Sequence, residues 1–177
     1  ADGWDINRPT MSSIICFQGK LFLVDAGPNL PAIMNALGIS VSEIEGIFHT
    51  HSHDDHFAGL PTLMQTDHRI RYFATPFVRA AVTKKLTGML GVEEREFEHY
   101  FDVHDLDVDS WNKISGLEVR PIFSPHPVET TCFYFRAMGP EGYKTYGHMA
   151  DIASFSVLES MVTDDDTAPG ISEARFA

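Results

Sequence analysis

The chain has 177 residues, 44% of them hydrophobic, which suits one globular domain spanning residues 1–177 with its own core. Its 25 acidic residues outnumber 13 basic ones and give a formal net charge of −12, which disfavours anionic membranes and argues against nucleic acid as a partner. No apolar run approaches the roughly 18 residues that span a membrane and no signal peptide precedes the first predicted strand, so we expect a cytoplasmic protein, compatible with a homo-oligomer.

The N-terminal part of the chain predicts strands on either side of a helix. Residues 12–17 and 20–25 are rich in β-branched and aromatic side chains and flank a Gly-containing turn, which predicts a β-hairpin. An Asn followed by an early Pro begins a helix at residue 29, and Gly38 ends it. Residues 46–49 form a short strand whose end leads directly into the motif described below.

The rest of the chain continues with further helices and strands. Residues 57–65 predict a helix interrupted by Pro61, and residues 76–90 predict a longer helix that a glycine ends. An acidic stretch with interleaved aromatic residues, 92–109, predicts a partly helical insert over the motif. The other predicted elements are strands at residues 70–74, 117–124, 132–138 and 144–146, a helix-like run at residues 152–161, and a solvated, flexible tail at residues 163–177.

The two cysteines do not suggest a disulfide framework. Cys16 and Cys132 each lie in an apolar run, and neither belongs to a Cys-x-x-Cys pattern. The sequence therefore predicts two buried thiols in a reducing compartment.

The strongest chemical signal is a run of seven residues after the strand at 46–49, Thr50-His51-Ser52-His53-Asp54-Asp55-His56. Five of these side chains are imidazoles or carboxylates, the donors that zinc, iron and manganese accept. A surface turn or a tag remnant can also be His-rich, but a tag is not embedded between a strand and the start of a helix. In an extended segment His51 and His53 point the same way, and a turn into a helix brings Asp55 and His56 beside them. The loop thus offers ligands to two adjacent ions.

Two residues near the motif predict supporting roles. Asp25 follows a run of four apolar residues, and a carboxylate buried there needs hydrogen bonds, which we expect from neighbouring loops behind the metal ligands. His49 shares strand parity with His51 and His53, but a buried supporting or packed histidine is the preferred interpretation.

Further ligand candidates lie in the C-terminal half. His126 stands between two prolines at the end of a predicted strand, a rigid setting that favours a ligand over an ordinary turn residue. Asp151 follows another strand and begins a helix-like run. We prefer Asp151 as the ligand there, with His148 as the alternative.

This arrangement resembles the metallo-β-lactamase superfamily. The resemblance runs from about residue 12 to Asp151 and depends on the His-x-His-x-Asp-His motif, the Leu23-Val24-Asp25-Ala26-Gly27 segment and His126. It implies an α/β fold of the αββα sandwich type, from which the last strand–helix segment could be missing, with a metal site at one sheet edge. It also implies two divalent ions, zinc first, with iron or manganese as alternatives. In that pattern one ion is held by His51, His53 and His126, the other is held by Asp55 and His56, and Asp151 bridges both.

Within the superfamily, Ser12-Ser13-Ile14-Ile15, residues 24–28 and residues 126–131 most resemble the phosphodiesterase branch, which includes the tRNA-end-processing ribonuclease and cyclic-nucleotide phosphodiesterases. That branch implies hydrolysis of a phosphodiester or small-molecule substrate by a metal-activated water, with Asp55 and Asp151 as the catalytic groups that orient the water. The alternatives are a hydrolase of a thioester, lactone or lactam, and a non-catalytic metal-binding sensor domain.

One departure concerns the second ion. Superfamily members supply it with a last histidine from well downstream of the bridging Asp, whereas no histidine follows His148 in this chain. We therefore expect the second site to be only partly filled.

Overall fold

The structure, a computed structural model, describes residues 4–5, 7 and 11–163. Apart from residue 163, the predicted tail at residues 163–177 lies outside the described residues. Among the described residues, none of the helices combines the length and the apolar character that crossing a membrane requires.

The first of two sheets has five strands. In spatial order they are β1 (Ser13–Phe17), β2 (Lys20–Val24), β3 (Ile44–Phe48), β4 (Ile70–Ala74) and β5 (Phe101–Asp105). β1 and β2 form the predicted antiparallel hairpin, and the pairs from β2 to β5 are all parallel. Because the carboxyl ends of parallel strands meet at one edge, the loops after β2, β3 and β4 lie together.

The second sheet has four strands, all antiparallel to their neighbours. In spatial order they are β6 (Asn112–Ile114), β7 (Leu117–Ser124), β8 (Thr130–Gly139) and β9 (Gly142–His148). Its inner face packs on the first sheet through aromatic rings, since Phe48 of β3 lies edge to face with Phe133 at 5.9 Å and with Phe135 at 5.1 Å. The two sheets therefore enclose an apolar core between them.

The helices supply a further core on the outer face of the first sheet. The helical elements are α1 (Leu30–Leu37), α2 (Asp54–Phe57), α3 (Pro76–Leu90), α4 (Phe97–Tyr100) and α5 (Phe155–Ser160), with 3-10 turns at Val41–Glu43, Leu60–Gln65 and Glu94–Glu96. Buried side chains of α1 and α3, among them Met34 and Val82, belong to one cluster with Leu23, Ile47 and Tyr72 of the sheet. The predicted helices at residues 29–38 and 76–90 are thus confirmed.

The prediction for residues 92–109 is confirmed in its partly helical content and wrong in its placement. Instead of an insert over the motif, this stretch forms a 3-10 turn, the short helix α4 and strand β5, which pairs with β4 at the edge of the first sheet. The aromatic residues that suggested a cover, Phe97 and Phe101, are buried in the core beside Tyr72. The acidic residues of the stretch are all exposed or half-buried, which explains the mixed composition.

Several other elements also differ from the prediction, among them β3, which ends before His49. The helix expected at residues 57–65 begins earlier, as α2 at Asp54, and continues after residue 59 as a 3-10 turn that contains Pro61. Strands β8 and β9 are longer than expected because they pair along their whole hairpin. Strand β6, of three residues, is too short to leave a sequence signal.

The prediction of two buried thiols holds for one cysteine. Cys132 is buried in β8, whereas Cys16 is exposed on β1. Since β1 lies at the edge of its sheet, the layers on its two faces cover it only in part, and an apolar run there does not imply full burial.

Candidate metal centre

The loop after β3 is fixed at both ends to one carboxylate. The backbone N–H of Thr50 donates to Asp25 Oδ1 at 2.7 Å, and the Thr50 hydroxyl donates to Asp25 Oδ2 at 2.6 Å. At the other end of the loop, His56 Nδ1 lies 2.7 Å from the same Oδ2 atom. The hydrogen bonds that we expected Asp25 to receive from neighbouring loops are therefore confirmed, and they join the end of β2 to the ligand motif.

A first group of donors gathers beside this loop. One ligand atom each from His51, His53, His126 and Asp151 lies within 4.8 Å of every other. His53 Nδ1 is 3.1 Å from the Nε2 atoms of both His51 and His126, and Asp151 Oδ2 is 3.8 Å from His51 Nε2 and 3.6 Å from His126 Nε2. Four donor atoms from three separate parts of the chain thus surround one point.

A second group shares Asp151 with the first. Asp151 Oδ1 lies 3.4 Å from His56 Nε2, and Asp55 Oδ2 lies 3.7 Å from the same nitrogen. The two oxygens of Asp151 therefore face different donor groups, Oδ2 towards His51 and His126 and Oδ1 towards His56. A carboxylate placed in this way can bridge two ions.

The donor geometry fits metal ions of zinc size. Ligand bonds of about 2.0 to 2.1 Å in a tetrahedron place neighbouring donors roughly 3.3 Å apart, close to the separations of 3.1 to 3.8 Å found here. His56 Nε2 is buried and has no hydrogen-bond partner among the described residues. A buried nitrogen without a partner costs free energy, and a cation between this nitrogen and the two nearby carboxylates would satisfy it.

The partners behind the histidines decide which ring nitrogen carries a proton. The Thr50 hydroxyl donates its proton to Asp25, so its oxygen accepts one from His51 Nδ1, 3.0 Å away. Likewise His56 Nδ1 donates to Asp25 Oδ2. In both rings the proton is therefore on Nδ1, and the lone pair of Nε2 faces the donor groups, as a metal ligand requires.

Burial also keeps ligand nitrogens free of protons. The burial of His51, reinforced by the nearby charge of His56, lowers its pKa from 6.5 to about 3. Burial likewise lowers the pKa of His126. Since a protonated imidazole cannot bind a metal, these two side chains stay available to an ion below neutral pH.

Asp25 and His56 form a buried hydrogen-bonded pair. Burial alone raises the pKa of Asp25, but the His56 hydrogen bond, the charges of His49 and His56 and the Thr50 hydrogen bond together lower it. Burial alone lowers the pKa of His56, yet its hydrogen bond to Asp25 and the charge of that carboxylate raise it. The negative charge of Asp25 is thus retained where it orients His56.

His148, the alternative to Asp151, belongs to neither donor group. Its Nδ1 lies 3.3 Å from the Tyr146 hydroxyl, and it lines a cavity of about 190 Å³ together with Asp25 and His56. Asp151 rather than His148 is therefore the residue that the structure brings to the other five predicted ligands.

His49 is fully buried behind the loop. Its ring lies 5.8 Å from that of Tyr72 and 6.3 Å from that of Phe57, and neither ring nitrogen has a hydrogen-bond partner among the described residues. This surrounding fits the packed histidine that we preferred for this position.

Sequence reasoning overlooked Thr50. Its backbone N–H and hydroxyl both bind Asp25, its hydroxyl sets the tautomer of His51, and its carbonyl accepts from the Thr131 N–H at 2.9 Å. The only available signal was a small hydroxyl residue between a buried strand and the first ligand, a position that any polar residue could occupy.

The sequence of the chain is similar to those of several known proteins. The family model described as the anti-Pycsar protein Apyc1 matches residues 8–152. A ribonuclease Z of Methanococcus maripaludis is 27% identical over 128 residues, which are 68% of this chain and 41% of that protein. The cAMP/cGMP-dependent 3′,5′-cAMP/cGMP phosphodiesterase B of Dictyostelium discoideum is 24% identical over 124 residues, 70% of this chain and 11% of that protein. The chain thus spans less than half the length of these curated relatives.

Solved structures share the fold. The short form of human tRNase Z superposes with a TM-score of 0.61 at 17% identity, over 96% of this chain and 80% of that chain. The metallo-β-lactamase fold protein YhfI from Bacillus subtilis superposes with a TM-score of 0.63 at 14% identity, over 96% of this chain and 72% of that chain. Zn²⁺-bound PqqB from Methylobacterium extorquens superposes with a TM-score of 0.63 at 18% identity, over 85% of this chain and 56% of that chain. The chain therefore has the metallo-β-lactamase fold, as the resemblance predicted.

Proposed function

The chain belongs to the family of the anti-Pycsar protein Apyc1, and from that premise we propose that it is a metal-dependent phosphodiesterase. The observation that carries the proposal is the arrangement around Asp151, whose two oxygens face separate donor groups. A site that can hold two cations side by side suits a negatively charged phosphoryl group better than a neutral acyl group.

The residues divide into two ligand sets. The first ion would be held by His51, His53, His126 and Asp151, and the second by Asp55, His56 and Asp151. Three imidazoles in the first set favour zinc, and the similarly folded PqqB is zinc-bound. Bound ions supply Lewis acidity and lower the pKa of a coordinated water towards neutrality.

The remaining chemistry belongs to side chains of this chain. Asp25 keeps the Nε2 lone pairs of His51 and His56 directed at the ions, directly or through Thr50. Asp55 and Asp151 provide the carboxylate oxygens that would orient the attacking water. A protein nucleophile is not needed, because a water would attack the phosphorus and the P–O bond to one ester oxygen would break, which releases an alcohol.

The names of the relatives support a phosphodiester substrate. One is a ribonuclease and another is a cyclic-nucleotide phosphodiesterase, so both are named for action on phosphodiesters. The ribonuclease relatives also weaken our expectation, drawn from the acidic charge, that a nucleic acid is an unlikely partner. The formal charge of −12 nevertheless favours a small phosphodiester over a long polyanion, since repulsion grows with the number of phosphates.

A substrate panel tests this function. Zinc-loaded protein should hydrolyse bis(p-nitrophenyl) phosphate and one or more 3′,5′-cyclic nucleotides, and should turn over single-stranded RNA and p-nitrophenyl acetate more slowly. His51→Ala should lose this activity because it lacks one ligand, whereas His99→Ala should keep it, since His99 is an exposed histidine on α4. Hydrolysis of the acetate ester without hydrolysis of any phosphodiester would overturn the proposal.

A further inference from the structure

Lys85 lies on α3, far in sequence from the metal motif, and its side chain reaches the middle of the ligand loop. Its Nζ donates to the backbone carbonyl of Ser52 at 2.6 Å and also binds Asp54 Oδ1. The same ammonium group lies 4.6 Å from the centre of the Phe57 ring. One side chain thus contacts three residues of the segment that carries the ligands.

Lys85 contacts residues of the ligand loop that Asp25 does not contact. Asp25 binds the loop at Thr50 and His56, its two ends. Helix α2 has only four residues, and its N-cap residue, His53, makes no capping hydrogen bond with its side chain. The middle of the loop therefore depends on contacts from outside, and Lys85 supplies them.

The contacts with Lys85 alternate with the ligands along the chain. Ser52 stands between His51 and His53, and Asp54 stands between His53 and Asp55. Asp54 belongs to neither donor group, so its carboxylate remains free to pair with the ammonium group. Fixing these intervening residues limits the movement of the ligands on either side.

We propose that Lys85 is a positioning residue that holds the middle of the ligand loop and thereby strengthens metal binding. The inference rests on the proposed metal centre. Asp54, which occupies the second unspecified position of the His-x-His-x-Asp-His motif, serves as the carboxylate partner of this lysine.

Two effects of the lysine have opposite signs, which makes the proposal testable. A positive charge near the site repels a cation, so its removal would tighten metal binding if Coulomb repulsion dominated. Loss of positioning would weaken metal binding instead. The ammonium group is paired with Asp54, which cancels most of its field beyond the pair, so we expect positioning to dominate.

The experiment compares zinc affinities by competition with a chromophoric chelator. Lys85→Met keeps an apolar stem over Phe57 but removes the donor, and it should weaken zinc binding by about 10-fold, within the usual range for groups behind metal ligands. Lys84→Met is the matched control, since Lys84 is the exposed neighbour on α3, and it should bind zinc like the natural chain. Lys85→Arg retains the charge and donors and should recover part of the loss.

The outcomes separate the alternatives. Unchanged or tighter zinc binding by folded Lys85→Met would overturn the proposal, even if the metal-free variant unfolds more easily. If Lys85→Met does not fold, Asp54→Asn decides, because Asp54 is largely exposed and the change preserves its size. This variant should weaken zinc binding by about 2- to 5-fold, and an unchanged affinity would contradict the role of Lys85. A natural chain that binds no zinc would instead refute the metal centre itself.

Discussion

Asp25 shows how a single residue can organise the whole site. Its backbone has a φ of 62°, a left-handed conformation that usually costs a non-glycine residue about 1 kcal/mol or more. This conformation accompanies a carboxylate that accepts three hydrogen bonds, two from Thr50 and one from His56. The buried charge is thereby satisfied, and the partners of two metal ligands are fixed by one side chain.

The role of Asp25 predicts the effect of Asp25→Asn. An amide has only one accepting oxygen, so it cannot replace the three hydrogen bonds that the two carboxylate oxygens accept. Zinc affinity, measured by chelator competition, should fall by about 10- to 100-fold. Asp102→Asn is the control, because Asp102 is a half-exposed carboxylate on β5 that pairs with His104. Unchanged zinc affinity together with reduced stability would make Asp25 a structural residue only.

His49 predicts a pH dependence of stability. Burial is the main reason why its pKa is lowered from 6.5 to about 4, so the unfolded chain binds its proton more tightly than the folded protein does. The stabilisation is complete above pH 6.5 and is lost as the pH falls towards 4. In that window His49 should contribute a slope of about 1.4 kcal/mol per pH unit to the free energy of unfolding.

The measurement is denaturant unfolding of the metal-free protein between pH 4.5 and 7, for the natural chain and for His49→Met. The free energy of unfolding of the variant should fall less steeply as the pH falls. The difference in slope should correspond to about one fewer proton taken up on unfolding. Equal slopes for the two proteins would show that His49 is not the group that titrates.

At the scale of elements, local signals predicted the structure best where glycine or proline marks a boundary. The strand at residues 70–74, the helix at 76–90 and the strand at 117–124 agree with β4, α3 and β7. Strands β5 and β6 were not predicted, because β5 is a polar edge strand and β6 has only three residues. The ligand loop was predictable because its donors are close in sequence, whereas the contributions of Thr50 and Lys85 depend on tertiary contacts.

Gly59, which follows α2, packs closely on the loop after β2, whereas Gly88 in α3 has open space around it. A Cβ atom on Gly59 would lie 2.2 Å from the carbonyl oxygen of Gly27 and 2.9 Å from the Cβ of Leu30. Gly59→Ala should therefore lower the free energy of unfolding by about 2 kcal/mol or more, as overpacking does. In contrast, nothing lies within 4 Å of a Cβ on Gly88 in α3, so Gly88→Ala should be neutral or stabilising by up to about 1 kcal/mol.

Denaturant unfolding of both glycine variants checks this prediction. Gly59 also donates its N–H to Ala26 at 2.8 Å, next to the residue that anchors the ligand loop. We therefore expect Gly59→Ala to weaken zinc binding as well, while Gly88→Ala leaves it unchanged. Equal stabilities of the two variants would contradict the close contact between these segments.

At the scale of the whole molecule, the sandwich collects ligands from distant parts of the chain. The loop after β3 belongs to the first sheet, whereas His126 follows β7 and Asp151 follows β9 of the second. The ends of β7 and β9 lie at one edge of their sheet because both strands are antiparallel to β8. Packing the sheets face to face then brings both ligand groups to a common edge.

The numbers of ligands in the two donor groups predict that the two sites differ in metal affinity. The first donor group has four side chains and the second has three, one of them shared. An ion with fewer protein ligands completes its coordination with water and is held less tightly. We therefore expect the ion beside His51, His53 and His126 to bind more tightly than the ion beside Asp55 and His56.

Anomalous diffraction at the zinc edge, from crystals grown at limiting and at excess zinc, tests the proposed centre most directly. At limiting zinc we predict one peak, among His51, His53, His126 and Asp151. At excess zinc a second peak should appear beside Asp55 and His56, with Asp151 between the two ions. A single peak at every zinc concentration, or peaks away from these side chains, would contradict the two-ion centre on which the proposed phosphodiesterase activity depends.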